Sequence, residues 1–194
     1  MIKSDRWIIR MAQDHGMIDP FEPKQVRSIE TASGPRSVIS YGVSSYGYDI
    51  RVDDTFRIVD PAKQQAGIIV DPKNFNASAY EVVQADQILI PPNGMAIAQS
   101  YEQFKIPRDV LVICNGKSTY ERCGIQVNIA PLEPEWEGRL TFAITNTTSF
   151  PARVYSREGI AQILFLGAAE VCAISYADKQ GKYQRQTAFT PPKV

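Results

Sequence analysis

Residues 38–59 read VISYGVSSYGYDIRVDDTFRIV. Three short runs rich in β-branched and aromatic residues, Val38 to Tyr41, Tyr48 to Val52 and Phe56 to Val59, are punctuated by Gly42, Ser44, Ser45 and Gly47 and stop at Asp60-Pro61. Short β-prone runs divided by turn residues predict strands. The same texture extends downstream through Ile68 to Val70, Tyr80 to Val83, Ile88 to Ile90, Met95 to Ala98 and Val110 to Cys114. Asp71-Pro72, Pro91-Pro92-Asn93-Gly94 and Pro107-Arg108-Asp109 separate these runs. Leu140 to Thr145, Ala152 to Tyr155 and Ala161 to Leu166 complete the series. So many short strands, with 13 prolines and 12 glycines among them, predict an all-β barrel or sandwich.

Upstream the texture is helical. Ser4 can cap a helix, Asp5 suits its positive end, and Ile8, Met11 and Ala12 share a face before Gly16 stops it. Lys117 to Cys123 reads as a second, shorter helix opened by Ser118. No internal repeat, low-complexity tract or linker interrupts the chain, so one domain over residues 1–194 is expected, ending in a tail at 172–194.

The totals bound the function. The chain has 194 residues, 44% hydrophobic and 22% charged, as expected of a soluble globular protein. Twenty-one basic residues balance 21 acidic ones, which argues against a general nucleic-acid or membrane-surface binder. Cys114, Cys123 and Cys172 are odd in number and lack C-x-x-C spacing, so neither a disulfide framework nor a zinc ribbon is suggested. Charges interrupt every apolar run of MIKSDRWIIRMAQD, leaving no signal peptide or span, and a cytoplasmic protein is expected. The sequons at Asn76 and Asn146 therefore carry little meaning.

Several chemistries fail on residue type. Zinc deaminases need H-x-E and P-C-x-x-C, whereas the single histidine, His15, precedes Gly16 and Met17. His15 reads as a solvated helix end, which also removes Ser-His and Cys-His catalysis. Gly116-Lys117-Ser118 resembles a P-loop tail, but Leu111 stands where the motif needs glycine. What survives is a turn with Lys117, Ser118, Thr119 and Arg122, suited to a phosphate or simply solvated. Tyr176, Lys179, Lys182, Tyr183, Arg185 and Gln186 in the tail can clamp a nucleotide by charge and stacking, or end the chain in solvent. Pro131 to Gly138, PLEPEWEG, reads as a rigid loop whose prolines exclude it from a central ladder. Trp136 there would lie over the core.

Taken in order, six segments resemble the monofunctional bacterial dCTP deaminases. They are Ser40 to Arg51, Val70 to Phe75, Gly116 to Ile125, Pro131 to Gly138, Asn146 to Thr148 and Gly181 to Gln186. The resemblance runs from Ile2 to about Gln186. It implies a distorted β-barrel of the dUTPase type and homotrimers with sites at subunit interfaces. It implies deamination of dCTP to dUTP without zinc, with magnesium on the triphosphate and dTTP as an inhibitor. By the same resemblance Lys117, Ser118 and Arg122 meet phosphates and the attacking water, with Thr119, Tyr120 and Glu121 in the same turn. Glu133 and Trp136 close on sugar and base beside Thr141 and Phe142. Gln162 contacts the nucleotide, and Tyr176, Lys182 and Gln186 belong to the tail that folds over it.

One position departs. The family's general acid/base glutamate lies seven residues after the tryptophan of the PEWEG loop, and here that residue is Ala143. Alanine cannot shuttle protons. An impaired deaminase, whether by a substitution that traps substrate or by natural loss, and a non-catalytic dCTP or dTTP sensor both fit. Glu121, where relatives often carry alanine, is a remote substitute base. The tail also departs at Gln186 to Phe189, QTAF. A dUTP diphosphatase is the third reading, although Glu133 stands where that chemistry uses an aspartate.

Overall fold

The computed structural model describes residues 1–59 and 69–194. All its named strand pairs are antiparallel, in two larger sheets and one small ribbon. One sheet has the order β2-β3-β4-β13-β9, from Val26–Thr31, Gly34–Ser44, Gly47–Arg51, Gly159–Gly167 and Val110–Gly116. The other runs β10-β11-β8-β5-β6, from Ile125–Asn128, Glu137–Asn146, Met95–Lys105, Thr55–Val59 and Tyr80–Gln84, with β1 (Ile18–Asp19) also on β8. β7 (Gln87–Ile90) and β12 (Ala152–Tyr155) form the ribbon. The result is the expected all-β distorted barrel, with, among the described residues, one short helix, α1 (Asp5–His15), and two short turns, one at Ala77–Ala79 and one, α2, at Ser118–Glu121.

Alternation builds the interior. Along β11, Gly138, Leu140, Phe142, Ile144 and Asn146 are buried while Arg139, Thr141, Ala143 and Thr145 lie on the opposite, half-buried face. β8 repeats the pattern, burying Ala96, Ala98, Ser100, Glu102 and Phe104. Tyr48, Ile50, Phe56, Ile163 and Phe165 from neighbouring strands fill the same core. Asn146 is fully buried, and its amide nitrogen donates to the carbonyls of Ile90, Pro91 and Phe150. A residue so enclosed is a structural pin.

Glu102 ties the two sheets. Its side chain is fully buried, and it accepts from Arg51 Nε at 2.6 Å and from the Arg51 amide at 2.9 Å. Arg51 in turn lies between the rings of Tyr41 and Tyr101, 4.7 and 4.6 Å from their centroids.

Several expectations need correction. Ser4 precedes α1, but its side chain makes no capping bond; Gly16 does end the helix in the left-handed conformation. The second helix is only Ser118–Glu121, with Lys117 in the cap position. Of the strand expected at Ile68 to Val70, residue 68 lies outside the described residues, and Ile69 and Val70 are exposed and unpaired by any strand. β1, β2 and β10 lie outside the strands expected from the sequence. β2, VRSIET, has only two half-buried residues, so its periodic signal is weak.

Candidate active site

A cavity of about 590 Å³ opens on the half-buried face of β11 and β8. Thr141 and Ala143 form its strand wall, with Ile97 directly opposite Ala143 across the ladder. The strand period puts them there, because residues 141 and 143 face away from the core that takes Leu140, Phe142 and Ile144. Trp136 and Glu133 of the PEWEG loop border a second side, and Tyr176, Tyr183, Gln186 and Phe189 of the tail form the cover.

The loop is rigid for identifiable reasons. Leu132 pairs with Val112 in an isolated bridge, and Glu135 holds a left-handed φ of 61°. Arg108 braces it from outside, reaching Glu135 and Asp178 at 2.7 Å each and the Ala173 carbonyl at 3.2 Å. That contact and the Ser175 bonds hold the Asp178 carboxyl down to about 2. The tail's base is thus clamped to the loop.

The rest of the tail is stitched to β11. The Trp136 indole donates to the Tyr183 carbonyl at 3.2 Å, the Arg139 amide to the Gln186 carbonyl at 2.8 Å, and Gln186 Nε2 to the Arg139 carbonyl at 2.7 Å. Lys179 pairs with Glu133. Gln186 Oε1 is buried with no hydrogen-bond partner. Phe189 packs under the Arg57 guanidinium, 3.9 Å from the ring centroid, and beside Phe75. Phe75 and Phe189 fall within segments singled out in the sequence, Val70 to Phe75 and Gln186 to Phe189, but only the fold shows that they meet at this cavity.

Gly138 sets how closely the tail approaches. Its φ is 141°, and a Cβ there would lie 2.8 Å from the Gln186 carbonyl oxygen. Gly138→Ala is expected to lift the tail, at a cost of order 1–3 kcal/mol in strain. Proteolysis near residues 180–190 should accelerate while the barrel still unfolds as one transition. Unchanged tail protection would show that the close approach is dispensable.

Of the expected site residues, Glu133, Trp136, Thr141, Phe142, Ala143, Tyr176 and Gln186 border this cavity. Lys117, Ser118, Thr119, Tyr120, Glu121, Arg122 and Gln162 do not. They gather on the other sheet, where α2 follows β9 and Gln162 sits on β13. Ser118, Thr119, Glu121 and Arg122 are exposed there, whereas Tyr120 is buried and its hydroxyl accepts from the Tyr155 amide at 3.2 Å. Thr119 borders a more open hollow of about 610 Å³ with Arg27, Arg36 and Glu158. That hollow has no tail over it and contains none of the other expected residues. Lys182 lies outside the cavity, donating to the Lys193 carbonyl at 3.1 Å.

Comparison with known proteins bears on this arrangement. The family model described as dCTP deaminase-like matches residues 2–167. A dCTP deaminase of Methylococcus capsulatus is 56% identical over 193 residues, covering 100% of this chain and 99% of that protein. One from Ectopseudomonas mendocina is 54% identical with the same coverage. Among solved structures, the 2'-deoxycytidine 5'-triphosphate deaminase of Agrobacterium tumefaciens superposes with a TM-score of 0.56 at 16% identity. That match covers 84% of this chain and 47% of the other, so the chain spans about half the length of that solved chain and shares its fold.

Proposed function

Because this chain belongs to the dCTP deaminase-like family, we propose that it binds dCTP in the cavity beneath Trp136 and the tail, and that Ala143 leaves it a weak or inactive deaminase. The single observation that carries this reading is Ala143 itself, set in the strand wall of a cavity bordered by six other residues of the family pattern. Its methyl group stands where zinc-independent deamination needs a proton shuttle.

The reaction fixes what the site must supply. Water oxygen bonds to C4 of cytosine, the C4–N4 bond breaks, and ammonia leaves as dUTP forms. Protons must leave the water and reach N3 and the departing amine. A carboxylate can perform all of these transfers. Among the described residues bordering the cavity, Glu133 is the sole carboxylate, and Lys179 holds it. Trp136 and Tyr176 supply flat apolar surfaces for sugar and base.

The phosphates need cations, and none of the described residues bordering the cavity is a lysine or arginine. Ser118 and Arg122 lie on the other sheet, so a homotrimer in which the Lys117–Arg122 turn of one copy meets the cavity of the next would complete the site. Magnesium would accompany the triphosphate, as the family resemblance implies. It would neutralise phosphate charge, and no proton transfer runs through it. A second reading, a dCTP or dTTP sensor without turnover, rests on the same alanine.

Calorimetry with magnesium-dCTP and magnesium-dTTP, paired with chromatography for dUTP, separates these readings. Binding with slow dUTP release supports an impaired deaminase, and binding with none supports the sensor. Absence of binding to either nucleotide would remove both, and brisk turnover would refute the missing base.

A further inference from the structure

Asp49 lies between Tyr48 and Ile50 on β4 and is 4% exposed. Three side chains from three separate segments converge on it. Lys117 Nζ donates to Oδ2 at 2.6 Å, Gln25 Nε2 to Oδ2 at 3.0 Å, and Gln162 Nε2 to Oδ1 at 3.2 Å. We propose that Asp49 is the positioning residue that orients Lys117 and Gln162 toward a nucleotide, a role that rests on the nucleotide-binding reading above.

The ladder brings these groups together. Gly42, Asp49, Gln162 and Asn115 form one rung across β3, β4, β13 and β9. Lys117 follows two residues after Asn115, at the cap position of α2. Gly42 has a φ of 101°, and a Cβ there would lie 2.0 Å from the Lys24 carbonyl oxygen. The segment before β2 therefore rests directly on the strand, and that contact delivers Gln25 to the carboxylate.

Every partner of Asp49 is a donor, so the position requires a group that only accepts. An ionised carboxylate meets that need on both oxygens. Asparagine does not: its NH2 must face either Gln162 or the Lys117 and Gln25 pair. One donor then turns away. If Gln162 flips, it presents NH2 where it had presented its carbonyl oxygen. If Lys117 turns away, its flexible stem returns the ammonium to water and its defined direction is lost. Removing the Asp49 charge also raises the local positive potential, which by itself favours phosphate. A directed, charge-assisted bond outweighs a mobile exposed cation, so positioning decides the sign.

The test compares the unchanged chain with Asp49→Asn, using calorimetry with magnesium-dCTP and with deoxycytidine and checking each protein by thermal unfolding. Asp49→Asn should weaken dCTP binding about tenfold or more, with deoxycytidine affinity nearly unchanged. Gln25→Ala, which removes one donor from the half-buried side, should give a smaller loss of the same pattern and covers the case in which Asp49→Asn fails to fold. Equal losses for dCTP and deoxycytidine would assign Asp49 a structural role and overturn the proposal. So would dCTP affinity at or above that of the unchanged chain. If the unchanged chain binds no dCTP, the nucleotide-binding reading itself falls and takes this inference with it.

Discussion

Ala143→Glu is expected to raise dUTP formation from dCTP by about 10²–10⁴-fold, the ordinary worth of general acid-base help. The geometry admits the longer side chain. Residue 143 faces the cavity rather than the core, and its ladder neighbours are Ile97 on β8 and Asn128 on β10. Phe75, Met95, Ile97, Trp136 and Phe189 also border the cavity, making much of the lining apolar. A carboxyl placed there would be partly desolvated, which raises its proton affinity toward the range a shuttle requires. Turnover of the two proteins, read by chromatography under one condition, gives the ratio. A folded Ala143→Glu variant that binds dCTP yet forms no more dUTP would remove the missing-base account.

The second large effect concerns the fold. Glu102→Gln is expected to cost about 3–5 kcal/mol, because it leaves Arg51 largely buried without its counter-charge. Urea unfolding followed by tryptophan fluorescence would show a lowered midpoint at an unchanged slope. Burial disfavours the Arg51 charge, but the contact with Glu102 more than offsets it and raises the guanidinium's proton affinity. Replacing both partners, Arg51→Met with Glu102→Leu, should recover most of the loss. A Glu102→Gln variant as stable as the parent would show that the two Arg51 contacts do not tie the sheets.

The sequence carried the barrel further than it carried the site. Runs such as Tyr48 to Val52 and Ala161 to Leu166 were readable because burial demands apolar residues at fixed intervals. β2 was not, since Arg27, Ser28, Glu30 and Thr31 are exposed and only Val26 and Ile29 are half-buried. The wall of the cavity was legible through Trp136 and Ala143, whose spacing matches a known pattern. Asp49 lay within the same quoted segment, Ser40 to Arg51, yet its role was not assigned. Its partners Gln25, Lys117 and Gln162 are far apart in sequence, and only strand register joins them. The separation of the Lys117–Arg122 turn from the cavity was likewise invisible, because it depends on which sheet each segment enters.

β13 has a consequence for how the chain comes to be folded at all. It pairs with β4 on one side and β9 on the other, at sequence separations exceeding 100 residues in the first case. During synthesis both of those strands are made before β13 exists. Each therefore waits with an open hydrogen-bonding edge, the kind of edge that recruits other chains. Closure over such distances is slow because loop entropy is lost before the contacts form. The interval between emergence of β9 and completion of β13 is thus when the nascent chain is most exposed to aggregation, and when a chaperone would have most to protect.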